Sequence, residues 1–159
     1  MKNKTMKILR LALIILMILT VSFTFYQSSK SKQKSKETSD KVGQIIEPIL
    51  PSDTPIGGYV QDNIRKIAHF VEFFALGAEV AIYVLLFMPK LKWMLHSFAI
   101  APVVAMLDET IQIFSDRGSA VLDVWIDVLG YCAAAILIYG TYLLYKVVVK
   151  KKKDGCYGD

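Results

Sequence analysis

Hydrophobic and polar positions along this chain are segregated at the scale of whole helices. Four long apolar runs, residues 8–26, 67–88, 93–114 and 121–149, are separated by one long, mainly polar stretch, 27–66, and two short ones, 89–92 and 115–120. Each approaches or exceeds the roughly 20 residues a helix needs to cross the hydrocarbon of a bilayer. The runs are too long for barrel strands and lack their strict alternation, and in lipid a helix satisfies its own backbone. The pattern predicts an all-α integral membrane bundle of four transmembrane helices.

The stretches between the runs divide the chain further. The first run follows Lys2, Lys4, Lys7 and Arg10, and no small-x-small cleavage site succeeds Phe25 and Tyr26, so residues 1–26 are expected to be an uncleaved membrane anchor. Residues 27–40 are dominated by Ser, Lys, Gln and Glu, a composition that buries no core and predicts a flexible polar linker. Val42, Ile45, Ile46, Ile49 and Leu50 then recur at helical spacing opposite Lys41, Gln44 and Glu47, the pattern of a short interfacial helix, limited by Pro48 and Pro51. A turn-rich connector over 51–58 leads to Asp62 and Asn63, expected to cap the second spanning helix. Residues 41–146 would form the membrane domain, with a kink at Pro102, and 147–159 a basic cytoplasmic tail.

Composition agrees with this picture. The 159 residues are 54% hydrophobic and 21% charged, and the mean hydropathy is +0.43. The net charge of +5 comes from lysines near the tips and in the linker, which suits anionic lipid head groups. No interleaving of basic and aromatic residues points to nucleic acid. Cys132 in an apolar run and Cys156 in the tail belong to different depths, which disfavours a disulfide. Eleven of the 19 Lys and Arg fall in the N-terminus, the loop at 89–92 and the C-terminal end, an excess that places both termini in the cytoplasm.

Against this background the polar residues inside the apolar runs stand out. Arg65, His69, Glu72, Leu76 and Glu79 advance in steps of four and three and share one helical stripe. Asp108, Glu109 and Gln112 close the third run, and Asp123 and Asp127, one turn apart, open the fourth. At 1.5 Å of rise per residue, Glu72, Asp108 and Asp127 each lie about 10 Å or less inside the same boundary of the membrane. Arg117, in the turn between the third and fourth runs, would hang over that layer. Ionisable groups at membrane depth are costly unless they pair, line a wet cavity or perform a task. A set richer in carboxylates than in cations is expected to raise the proton affinity of at least one acid or to recruit a cation.

The strings Arg65-Lys66-Ile-Ala-His69-Phe70-Val-Glu72-Phe73-Phe74-Ala-Leu-Gly77, Asp108-Glu109-Thr-Ile-Gln112-Ile-Phe114, Arg117, and Asp123-Val-Trp-Ile-Asp127-Val-Leu-Gly130 resemble the VanZ-like family of bacterial membrane proteins. The resemblance runs from about Ile45 to Tyr142 in order, spacing and placement on consecutive spans. It implies a small multi-pass protein of the bacterial cell membrane, in a family whose founding member is tied to low-level resistance to the glycopeptide teicoplanin. Two positions depart from the pattern: many members carry Asn where this chain has Asp127, and Glu79, near mid-membrane, matches no position of the family.

Each feature also has a plain structural explanation. His69 with Glu72 is a pair that orients a helix, Asp123 and Asp127 are suited to interfacial capping, and Gly77, Ala78, Ala81, Gly130, Ala133 and Ala134 are small residues for close packing. Contributions from three spans favour a shared site, with Lys66, His69, Glu72, Asp108, Glu109, Gln112, Arg117, Asp123 and Asp127 as its ligand-binding candidates. His69, Glu72, Asp108, Glu109, Asp123 and Asp127 are the candidates for acid and base chemistry. The His69-x-x-Glu72 step with carboxylates from other helices could bind a divalent cation, or a transition metal through His69, but no His-Glu-x-x-His or paired-Cys spacing identifies a metal or other cofactor. The leading expectation is an outward-facing acidic pocket that recognises a lipid-linked envelope precursor or a glycopeptide and contributes to glycopeptide resistance or envelope homeostasis. The alternatives are a membrane-embedded enzyme acting on a lipid head group by carboxylate acid and base chemistry, with or without the help of a metal, and proton or ion movement through Glu79.

Overall fold

The computed structural model describes residues 2–115 and 121–155, with side chains from 4 to 115 and from 121 to 150. Among these residues the architecture is helical throughout: α1 (Lys2–Ser28), α2 (Lys32–Ile46), α3 (Pro55–Phe87), α4 (Leu91–Ser97), α5 (Ile100–Phe114) and α6 (Val121–Gly155). Four segments, Lys4–Ser28, Pro55–Phe87, Leu91–Phe114 and Val121–Lys150, are long and apolar enough to cross a membrane. Large apolar side chains remain exposed along all four, including Leu19 on α1, Val71 on α3, Val103 on α5 and Leu129 on α6. In water such a surface would be a liability; facing acyl chains it costs nothing. The chain is a multi-pass membrane protein.

Several boundaries differ from the sequence expectation, each for a local reason. The stretch expected to be a flexible linker forms most of α2. Glu37 and Lys41 are four residues apart in the favourable order, and buried Gly43 lets α2 seat against α3, where the Gln61 amide donates to the Gly43 carbonyl at 3.1 Å. The helix stops at Ile46 because Pro48 has no N–H to continue the ladder. The interfacial helix expected over 42–50 is therefore only the last turn of α2 followed by a bend, which leaves Ile45 and Ile49 exposed. Glu47 ties this bend to α3, accepting from Ser52 and Gln61.

The second spanning helix begins before Asp62 and Asn63. Thr54 is its cap, with Oγ1 accepting from the Gly57 N–H at 3.0 Å, and Pro55 follows at a position that needs no donor. The third span is broken rather than merely kinked, over Phe98 and Ala99. Pro102 is the cause: it cannot donate to the carbonyl four residues back, at Phe98, and its ring crowds that carbonyl. The chain answers with tighter bonds, Phe98 N to Leu95 O and Ala99 N to His96 O. Tyr131 stabilises the break by donating to the Ser97 carbonyl at 2.8 Å, while Ser97 Oγ pairs with the Tyr139 hydroxyl at 2.9 Å. At the C-terminus, α6 continues to Gly155, past the boundary expected for the tail, since lysines are good helix formers.

The largest interface joins α3 and α6. It is built on two close backbone approaches: a Cβ on Gly77 would lie 2.4 Å from the Tyr131 carbonyl oxygen, and one on Gly130 would lie 2.4 Å from that of Phe70. Small residues let helices in lipid approach to this distance. Ala81 and Ala134 belong to the same packed region, whereas Ala133 is exposed and does not. Phe73, Leu76, Val80, Tyr131 and Ala135 fill the core between them, joined from α5 by Ala101 and Ala105. The first helix is more than an anchor, because it packs on α3 and α5.

Candidate functional site

The antiparallel run of the spans brings the end of α1, the first half of α3, the end of α5 and the start of α6 to one end of the bundle. There the polar residues meet. Asp108 is fully buried and accepts at the same carboxylate oxygen from Ser28 Oγ and from Gln112 Nε2, both at 2.8 Å. The Arg65 guanidinium donates to the Gln112 side-chain oxygen, so a chain of donors from α3 and α1 orients the carboxylate on α5. His69 Nδ1 lies 3.7 Å from Asp108 Oδ2 and 3.8 Å from Asp127 Oδ1, so one imidazole stands between acids of two other helices.

Asp127 is 1% exposed, and neither of its oxygens has a hydrogen-bond partner among the described residues. Glu109 is also buried. Gly130, one turn after Asp127, sits against Phe70, the neighbour of His69. One of the two close backbone approaches between α3 and α6 thus lies beside the His69 and Asp127 side chains and holds their helices together there.

Two cavities flank α3 at this level. One, of about 190 Å³, lies between α3 and α6 and is lined by Asp62, Asn63, Arg65, Lys66, His69, Asp123, Ile126 and Asp127. The other, of about 120 Å³, lies against α1 and α2, with Arg65, His69 and Glu72 on its α3 wall and Lys30 and Ser35 opposite. Arg65 and His69 border both. Asp108, Glu109 and Gln112 line neither, and form the buried floor behind His69.

The expected site residues therefore have distinct places. His69, Asp108, Gln112 and Asp127 converge; Asp123 and exposed Lys66 share the larger cavity with His69; Glu72 belongs to the smaller one. Arg117, like Cys156, lies outside the described residues. Glu79 is removed from the cluster and accepts from Thr20 Oγ1 on α1 at 2.8 Å.

Sequence reasoning missed Ser28 and the part α1 plays. A signal was present: Thr20, Thr24 and Ser28 recur every four residues on an otherwise apolar helix, and Thr24 and Ser28 are buried. Such a hydroxyl stripe marks a helix that faces polar partners rather than lipid. Arg65 was legible as part of the α3 stripe, but not as the donor that anchors Gln112.

Chemically, the cluster offers a partly exposed imidazole between two buried carboxylates, reached from a cavity with cationic residues on its wall. Such a set can hold a proton or a cation and can orient a polar ligand. No curated protein and no solved structure matches the chain. Residues 12–145 match the VanZ/LLP1 family, so the match takes in the second and third spans, most of the first and fourth, and every residue of the cluster, and the chain belongs to that family.

Proposed function

We propose that this VanZ-like protein binds a polar envelope ligand in the cavity between α3 and α6, at the outer face of a bacterial cell membrane, and thereby contributes to glycopeptide resistance or envelope homeostasis. One observation carries the reading: a cavity of about 190 Å³ has Arg65 and Lys66 together with His69, Asp123 and Asp127 in its wall, all contributed by two helices held together by glycine contacts. Cationic and anionic groups side by side suit a zwitterionic or amino-sugar ligand, such as a lipid-linked precursor or a glycopeptide. Arg65 and Lys66 would meet its phosphate or carboxylate, and Asp123 its amine or hydroxyls. Membrane lipids are the surrounding partners.

The lysine and arginine distribution supports both termini in the cytoplasm, with the cavity facing outward. A cysteine placed at exposed Tyr59, in a background lacking Cys132 and Cys156, should react with a membrane-impermeant maleimide on intact cells. Protection there, with labelling after lysis, reverses the orientation. For the ligand itself, Asp123→Asn and Lys66→Gln should restore teicoplanin susceptibility at unchanged membrane abundance. Wild-type resistance in both variants removes the cavity from the function.

A second reading is favoured by the His69 to Asp108 geometry, since an imidazole beside an oriented buried carboxylate is an arrangement used for acid and base chemistry. It makes the protein an enzyme acting on a lipid head group. Lipid extracts of cells with and without the protein would then differ in one species, and His69→Gln would erase that difference; identical extracts leave binding alone.

A further inference from the structure

We propose that His69, Asp108 and Asp127 hold a divalent transition-metal ion, of the Zn²⁺ or Mn²⁺ kind, at the floor of the cavity between α3 and α6. The three residues come from three helices, and one donor atom of each lies within 4.8 Å of the others. Two ligands bound at about 2.1 Å to one ion stand roughly 3.0–3.6 Å apart for ordinary coordination angles. The observed separations of 3.7 and 3.8 Å from His69 Nδ1 exceed that by a few tenths of an ångström, within the reach of a side-chain rotation.

The same distances argue against a shared proton, because a hydrogen bond between imidazole nitrogen and carboxylate oxygen needs about 2.7–3.2 Å. The gap is too wide for a proton and nearly right for an ion. Asp127 supplies the independent indication: it is 1% exposed, lies across from the imidazole, and has neither oxygen hydrogen-bonded among the described residues. A buried carboxylate needs a compensating partner.

The charge also balances, since two carboxylates and a neutral imidazole match a dication. One nitrogen with two carboxylate oxygens suits Zn²⁺ or Mn²⁺ better than an all-oxygen cation such as Ca²⁺. Ser28 and Gln112, which donate to Asp108, act as the outer contacts that orient a ligand carboxylate. His69 and Asp127 also border the cavity, so the ion keeps coordination positions open toward it, where an anionic group of a bound molecule can reach it. This inference goes beyond the ligand reading and stands or falls without it.

The test uses the full-length protein in detergent micelles, stripped with a chelator and titrated separately with Zn²⁺ and Mn²⁺ by calorimetry, with bound metal counted by mass spectrometry after dialysis. One ion per chain is expected for at least one of the two metals. Asp127→Asn should weaken it more than roughly 10-fold, as should Ser28→Ala through the outer contact. Asp53→Asn, at an exposed carboxylate outside both cavities, should bind as the wild type does. The thermal midpoint of stripped Asp127→Asn should equal or exceed that of the stripped wild type, because the substitution removes a buried charge. Absence of a stoichiometric ion with either metal overturns the proposal, and so does wild-type binding by Ser28→Ala, a variant that keeps all three ligands, or by a folded Asp127→Asn.

Discussion

Gly130→Ala perturbs the α3–α6 interface directly beside the polar cluster. The added Cβ would lie 2.4 Å from the Phe70 carbonyl oxygen and 3.2 Å from the Phe70 carbonyl carbon and Cα, whereas ordinary contact begins at 3.4 Å. All three atoms are backbone, so no side chain can rotate away, and α3 and α6 must part by about 1 Å. Overpacking of this size costs about 1–3 kcal/mol, against about 1 kcal/mol gained from replacing glycine by alanine in a helix. The net expectation is a loss of up to about 2 kcal/mol, together with a wider His69 to Asp127 gap, since Phe70 adjoins His69 and Gly130 follows Asp127 by one turn. Gly140 on the same helix is the control: nothing lies within 4 Å of a Cβ there, so Gly140→Ala carries only the propensity gain. Thermal unfolding of both variants in the same detergent reads the difference directly. Equal midpoints for Gly130→Ala and Gly140→Ala would show that the helices do not meet at the Phe70 backbone, and the account of the interface would fail.

Tyr131→Phe removes the hydroxyl that caps the Ser97 carbonyl at the helix break and should cost about 0.5–1.5 kcal/mol, seen as a lower unfolding midpoint; an unchanged midpoint would mean the break needs no such support. Thr20→Val deprives Glu79 of its donor on α1 and should destabilise the protein by a similar amount, while Thr20→Ser, which keeps the hydroxyl, should not. Deleting residues 2–28 should do more than release an anchor: it removes the Ser28 donor to Asp108, so the truncated protein, even if inserted, should lack the teicoplanin resistance proposed for the intact chain. Retained phenotype at normal abundance would reduce α1 to a tether.

Much of the candidate site was legible because a polar residue in an apolar run is conspicuous. His69, Asp108, Gln112 and Asp127 announced themselves in this way, and helical spacing placed them at one end of their spans. Ser28 was less visible, because a hydroxyl is a weak polar signal and only its spacing from Thr20 and Thr24 sets it apart. The fate of 27–46 was illegible for a different reason. A polar segment with no core of its own has no strong local preference, and its helical state depends on α3 offering a surface on which Gly43 and Gln61 fit.

The order of spans, their helical nature and their membrane setting follow from the sequence alone, because a predominantly apolar run of this length without strict alternation leaves the helix as the way for its backbone to satisfy itself in lipid. Which acid faces which helix was decided only by the tertiary structure. Asp108 and Glu109 are neighbours that point about 100° apart on a helix. That Asp108 meets His69 and Ser28 while Asp127 shares the cavity wall with Lys66 depends on the rotation and separation of α3, α5 and α6. Between α3 and α6 those are set by Gly77 and Gly130 meeting backbone across the interface, a long-range condition that local pattern does not encode.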